Sequence, residues 1–186
     1  MTTRRPPPRI TASYLENAAL HYLERYASST TNLKRVLLRK VDRSIAHHGG
    51  EREEAEHMVA ATLAKLAGLG YLDDGAYAEM KVRGLHRKGG STRAIRATLA
   101  AKGVDADTVN GALSAMAETV GAGTVGDLDL AAAIRLAKRR RLGPFRPDGK
   151  REEFRTKDMA ALGRAGFAWE IVRAVMETEE TALLDG

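Results

Sequence analysis

The sequence predicts an all-α fold of three tandem three-helix repeats, and three observations predict it. No stretch of four to eight residues alternates apolar and polar side chains with β-branched enrichment, which argues against strands. Apolar residues instead recur at helical spacing, as in Leu33, Leu37 and Val41. The chain also matches itself. Lys102-Gly103-Val104 with Val109, Ala112 and Leu113 falls on Ala165-Gly166-Phe167 with Val172, Val175 and Met176 at an offset of 63. At an offset of 62, Ser29, Leu33, Leu37 and Lys40 fall on Ser91, Ile95, Leu99 and Lys102. Repeats that cannot close their own cores stack on their neighbours, so an elongated, curved body is expected.

Met1 to Ile10 is basic and holds three consecutive prolines, which reads as a disordered or extended polyproline-like tail without the apolar stretch of a signal peptide. Thr11 to Tyr26 follows as a helix with Leu15, Ala19, Tyr22 and Leu23 on one side. Ser28 to Thr31 offers several caps for a helix from Asn32 to about His47, and the Gly49-Gly50 pair ends it. Glu51 to Glu54 opens the third helix with negative charge at the positive end of its dipole. Its stripe is Met58, Val59, Thr62, Leu63 and Leu66.

Asp73 or Asp74 can cap the fourth helix, whose apolar groups are Tyr77, Ala78, Met80 and Leu85. Ser91 caps the fifth, Gly103 ends it in a left-handed conformation, and Asp105 caps the sixth, with Val109, Ala112, Leu113 and Met116 as its stripe. Gly121 to Gly126 reads as a linker. Leu128 to Arg141 is the seventh helix, with Leu130, Ala133, Ile134 and Ala137 inside and four cations at its negative end. A loop from Gly143 to Lys150 precedes helices over Phe154–Ala165 and Trp169–Glu177. The boundaries expected are a tail over 1–10, repeats over 11–70, 71–123 and 124–178, and a frayed end over 179–186.

The chain has 186 residues, a formal net charge of +6 and a sequence pI near 9.7. Such a basic balance suits nucleic acid, anionic lipid or an acidic protein surface as partner. It has no cysteine, which excludes disulfides, thiolate nucleophiles and cysteine zinc sites and fits a reducing cytoplasm. No window approaches 18 apolar residues, so no membrane span is expected.

Gly121-Ala122-Gly123-Thr124-Val125-Gly126 matches G-x-G-x-x-G in letters only. A dinucleotide site needs a strand before it and an acidic residue about 20 positions on, where Arg141 stands instead. His47, His48 and His57 read as surface residues, since adjacent histidines on a helix point about 100° apart and no carboxylate completes a ligand set. Helix capping accounts for Asp73 and Asp74, and Trp169 beside Phe167 reads as packing. No catalytic residue, metal site or cofactor is expected.

The basic residues are the set in which function competes with a plain solvated face. Arg35, Arg39 and Arg43 share a helix face, Arg87 and Lys88 stand shortly before Arg93 and Arg96, and Lys138, Arg139, Arg140 and Arg141 form a cluster. All are candidates for contact with phosphates or an acidic protein surface.

Four segments carry a resemblance: AALHYLERYASSTTNLKRVLLRK, LAKLAGLGYLDDGAYAEMKV, LHRKGGSTRAIRATLAAKGVDADTVNGAL and DMAALGRAGFAWEIVRAVM. Together they resemble the RecX family, regulatory proteins of RecA recombinase. The likeness runs from about Thr11 to Met176 and is most specific over Gly70 to Leu113. Val41 stands where the family often has glycine, so the second helix should run on toward His48, and the insert around Arg139 to Lys150 lengthens the third repeat. The resemblance implies a three-repeat, all-helical, curved protein that binds the RecA–DNA filament, lies in its groove, and suppresses its ATPase, strand exchange and co-protease activities. With no nucleophile–base arrangement in the sequence, a non-enzymatic, cytoplasmic monomer acting on the filament on single-stranded DNA is expected. The alternative is a helix-turn-helix-like DNA-binding regulator acting without RecA. Its recognition helix, after Asp105, offers only Asn110 to bases and has no basic residue.

Overall fold

A computed structural model of the chain describes residues 6–147 and 149–178. Among them the elements are α1 (Ala12–Leu23), α2 (Thr30–His48), α3 (Arg52–Gly68), α4 (Asp74–Arg87), α5 (Thr92–Ala101), α6 (Ala106–Thr119), α7 (Val125–Arg140), α8 (Arg151–Arg164) and α9 (Trp169–Glu177), with a 3-10 turn over Gly143–Phe145. No strand occurs among the described residues. The all-α expectation holds. The frayed end expected over 179–186 and the first five tail residues lie outside the described set.

The chain divides into two compact units, residues 1–77 with 102–104, and residues 78–101 with 105–186. In the first, Leu15 and Ala19 of α1, Leu33, Leu37 and Val41 of α2, and Val59, Leu63 and Leu66 of α3 are buried together. Each fully buried leucine contributes about 1.5–3 kcal/mol relative to an exposed one. Of the tail, Ile10 packs against this core and the Pro7 carbonyl accepts a hydrogen bond from His48 Nε2 at 2.7 Å. In the second unit, Ala132, Ala133, Leu136 and Ala137 of α7 pack with Leu162 of α8, Phe167, and Val172, Val175 and Met176 of α9.

Local signals explain most helix starts. Asp73 caps α4, its Oδ1 accepting from the Ala76 N–H at 2.9 Å. Asp105 caps α6 through Thr108 N–H at 2.8 Å. Thr124 and Asp127 form a capping box that starts α7 three residues earlier than expected, so the linker ends at Gly123 and the buried stripe becomes Leu128, Ala132, Ala133, Leu136 and Ala137. Leu130 and Ile134 are only partly buried. The eighth helix also starts early, at Arg151, with Glu152 and Glu153 in its first turn. In α4 the buried apolar groups are Tyr77, Ala78 and Val82, and Met80 faces solvent. Trp169, expected to pack, is 61% exposed, because Phe167 fills the core from the preceding loop.

Both joints between successive repeats are built alike. Ser29 accepts from the Asn32 N–H and donates its own hydroxyl to the Lys102 carbonyl, while the N–H and hydroxyl of Thr30 both donate to Asp74 Oδ1, at 2.7 and 3.2 Å. Ser91 likewise accepts from Ala94 N–H and donates to the Ala165 carbonyl at 2.8 Å. Thr92 gives its N–H and hydroxyl to the Asp129 carboxylate at 2.7 and 2.9 Å. Each serine thus satisfies a helix start and a carbonyl freed at another helix's end. A left-handed glycine follows each carbonyl, Gly103 with φ +75° and Gly166 with φ +92°.

The insert of the third repeat is held by one buried carboxylate. Asp158 Oδ2 accepts from Gly143 N–H at 2.9 Å, and both its oxygens accept from Arg146, at 2.9 and 2.6 Å. The Arg146 guanidinium lies 4.2 Å from the centre of the Phe154 ring.

Candidate functional site

The cations singled out in the sequence fall on different units. Arg35, Arg39 and Arg43 lie on the exposed face of α2 in the first unit, opposite the buried line Leu33, Leu37 and Val41. Arg43 Nε donates to the Arg39 carbonyl at 3.2 Å. This row is interleaved with acid: Asp42 pairs with Arg52, which also meets Glu56 at 2.6 Å. Arg52 is raised further above its ordinary range by its bond to Glu56 first and by Asp42 second.

The remaining candidates lie in the second unit, all exposed. Arg93 stands in the first turn of α5, its Cβ against the space beside Gly166. Arg96 Nε donates to Asn110 Oδ1 at 3.0 Å, which engages the one base-reading side chain available to a helix-turn-helix reading of α6. Arg87 ends α4, and the Lys88 carbonyl accepts a hydrogen bond from Arg139 Nη1, which brings two candidate stretches together. Lys138, Arg139 and Arg140 occupy the last turn of α7, and Arg141 caps it with φ +53°.

Two residues at this place escaped sequence reasoning. His86, beside Arg87, is 2% exposed. Its Nε2 lies 2.8 Å from the Leu128 carbonyl, and its Nδ1 lies 3.1 Å from Arg135 Nη1. A carbonyl only accepts and a guanidinium only donates, so the pairing selects the neutral ring with its proton on Nε2. Arg135 had one signal, standing four residues before Arg139 and hence on its helical face. His86 had none.

Among the described residues no three metal-ligating side chains stand together, and no helix is long and apolar enough to cross a membrane. Thr124 to Gly126, within the glycine motif, serve as cap and first turn of α7, and a helix precedes them.

The fold and these basic faces define an all-α protein of three-helix repeats. A family model described as RecX, second three-helix domain, matches residues 73–113. The chain is 49% identical over 173 residues to Regulatory protein RecX of Myxococcus xanthus (strain DK1622), across 92% of this chain and 89% of that protein. It is 35% identical over 173 residues to Regulatory protein RecX of Agrobacterium fabrum (strain C58 / ATCC 33970), across 90% and 85%. The chain therefore belongs to the RecX family. A crystal structure of RecX from Lactobacillus salivarius shares the fold, with a TM-score of 0.64 at 24% identity over 89% of this chain and 94% of that one. A second RecX crystal structure aligns with a TM-score of 0.62 at 23% identity, over 90% and 72%.

Proposed function

We propose that this protein binds the RecA–DNA filament and inhibits its ATP hydrolysis, strand exchange and co-protease activities. It does so as a cytoplasmic monomer that catalyses nothing itself. The observation that carries the reading is identity of 49%, across nearly the whole chain, to a protein named a regulatory protein of this family. The exposed cations support it: the α2 row of Arg35, Arg39 and Arg43, the α5 pair of Arg93 and Arg96, and the Arg87, Lys88 and Lys138 to Arg141 group suit a filament that presents both protein and phosphate.

The test is RecA-dependent ATP hydrolysis on single-stranded DNA, with RecA from the same organism. Hydrolysis is expected to fall as this protein approaches stoichiometry with the filament. Hydrolysis unchanged at stoichiometric excess would falsify the proposal. Co-sedimentation of Arg35→Ala/Arg39→Ala/Arg43→Ala with RecA filaments then tests the α2 row, since loss of binding with helicity intact assigns that row to the filament.

A further inference from the structure

No acidic residue stands between Glu79 and Asp105, and none between Asp129 and Asp148. The second unit brings these two carboxylate-free stretches together. His86 donates to the Leu128 carbonyl and accepts from Arg135, Arg139 donates to the Lys88 carbonyl, and the open face of Gly89 lies against the backbone of Ala132 and Leu136. Arg87 and Lys88 on one side, with Arg135, Lys138 and Arg139 on the other, make one cationic surface.

The helix dipole accounts for part of this. Lys138 and Arg140 suit the negative end of α7. It does not account for Arg135, which stands before the last turn, nor for Arg139, whose guanidinium turns to the carbonyl just past α4. Like charges four apart on a helix repel. Here they are also held: Arg135 leans back along α7 to a buried ring, and Arg139 to a freed backbone carbonyl. A guanidinium has five donors, and each of these bonds occupies one nitrogen, so both arginines keep donors for a partner while their rotamers are restricted. The two Cα atoms are one helical turn apart, about 6 Å, comparable with neighbouring phosphates on one strand.

We propose that this surface binds the phosphodiester backbone of single-stranded DNA, with Arg135 and Arg139 as the phosphate contacts and His86 as the residue that positions Arg135. The inference deepens the reading above by separating its nucleic-acid contact from the α2 row. That row is the weaker candidate because Asp42 and the Arg52–Glu56 pair stand beside it. The fixed, closely spaced arginines suit a regularly charged backbone.

The experiment uses the full chain without RecA, so its failure leaves the ATPase test standing. The probe is a fluorescein-labelled single-stranded oligothymidylate, followed by anisotropy from 50 to 200 mM salt. Arg135→Gln/Arg139→Gln is expected to weaken binding roughly 25-fold at 0.1 M salt and to reduce the slope of log K against log salt by about 1.4, as two lost contacts predict. Arg35→Gln/Arg39→Gln/Arg43→Gln should lose less affinity for the oligonucleotide than the Arg135→Gln/Arg139→Gln variant does. His86→Leu removes the acceptor for Arg135 without touching charge, so affinity should fall about two- to tenfold with the slope unchanged. His86→Gln, whose amide offers one donor and one acceptor, should restore it. Circular dichroism confirms that each variant is folded.

Binding by the double arginine variant equal to wild type, or a loss carried by the α2 variant instead, overturns the proposal. So does a wild-type protein that ignores the oligonucleotide but binds polyglutamate through Arg135 and Arg139, which would make the surface a protein-docking one.

Discussion

The Ser91 hydroxyl donates to the Ala165 carbonyl, 2.8 Å away across 74 residues of chain, and accepts the Ala94 N–H at the start of its own helix. One small side chain thus closes two helix ends. Ser91→Ala leaves a buried carbonyl and a helix-start N–H without that partner. It should lower the unfolding free energy by about 1–3 kcal/mol, measured by urea denaturation of the full chain. An unchanged midpoint and slope would show that the joint contributes nothing.

Three glycines with left-handed φ separate conformational strain from lack of space. A Cβ at Gly121 (φ +67°) meets nothing within 4 Å. At Gly166 (φ +92°) it would lie 2.7 Å from Ser91 Oγ, and at Gly103 (φ +75°) 2.3 and 2.5 Å from Thr31 Cγ2 and Cβ. Gly121→Ala should cost about 1–2 kcal/mol, the left-handed penalty alone. Gly166→Ala should cost more, and Gly103→Ala most, because the obstacle there includes a Cβ fixed to backbone. Denaturant midpoints in any other order contradict this account.

The acid side of the stability profile should carry the mark of Asp158. Burial pushes its carboxyl up, but the Arg146 hydrogen bonds, the Gly143 N–H and the charge of Arg146 outweigh that and hold it below the usual carboxylate range. A carboxylate depressed in the folded state adds stability above its unfolded pKa, and that stability is lost as pH falls through the folded value. Asp158→Asn should therefore be less stable than wild type by about 3 kcal/mol at neutrality, with the gap closing below about pH 4. A gap that stays constant into acid would mean that the pair contributes no charge interaction.

Trp169 is the one tryptophan of the sequence and is 61% exposed. Its fluorescence should be red-shifted and readily quenched by iodide, and Trp169→Ala should change stability by less than about 0.5 kcal/mol. A loss of about 3–5 kcal/mol, as for a buried tryptophan, would restore the packing role that its neighbour Phe167 first suggested.

Helices and caps were legible because their causes are local: Leu33, Leu37 and Val41 are buried as their spacing requires, and Ser91 and Asp105 cap where they stand. The self-match paired Ser29 with Ser91, yet their second bonds, to Lys102 and Ala165, reach across the fold and leave no mark in a local window. The Asp74 carboxylate went not to its own helix but to Thr30. His86 was hidden for a like reason. A histidine between Leu85 and Arg87 looks like surface until α7 supplies both Leu128 and Arg135.

The joint also has a direction. Its Ser-Thr half sits at the start of α2 and α5, and its Asp half early in α4 and α7. The start of α1 has Ala12 and Ser13 but no aspartate, and Glu153-Phe154 stands where a third Ser-Thr would fall. The first link thus has a hook without an eye, and the last an eye without a hook. A chain in which the middle link is duplicated would therefore keep every hook matched to an eye, whereas one in which the first or last link is duplicated would leave a joint unmatched.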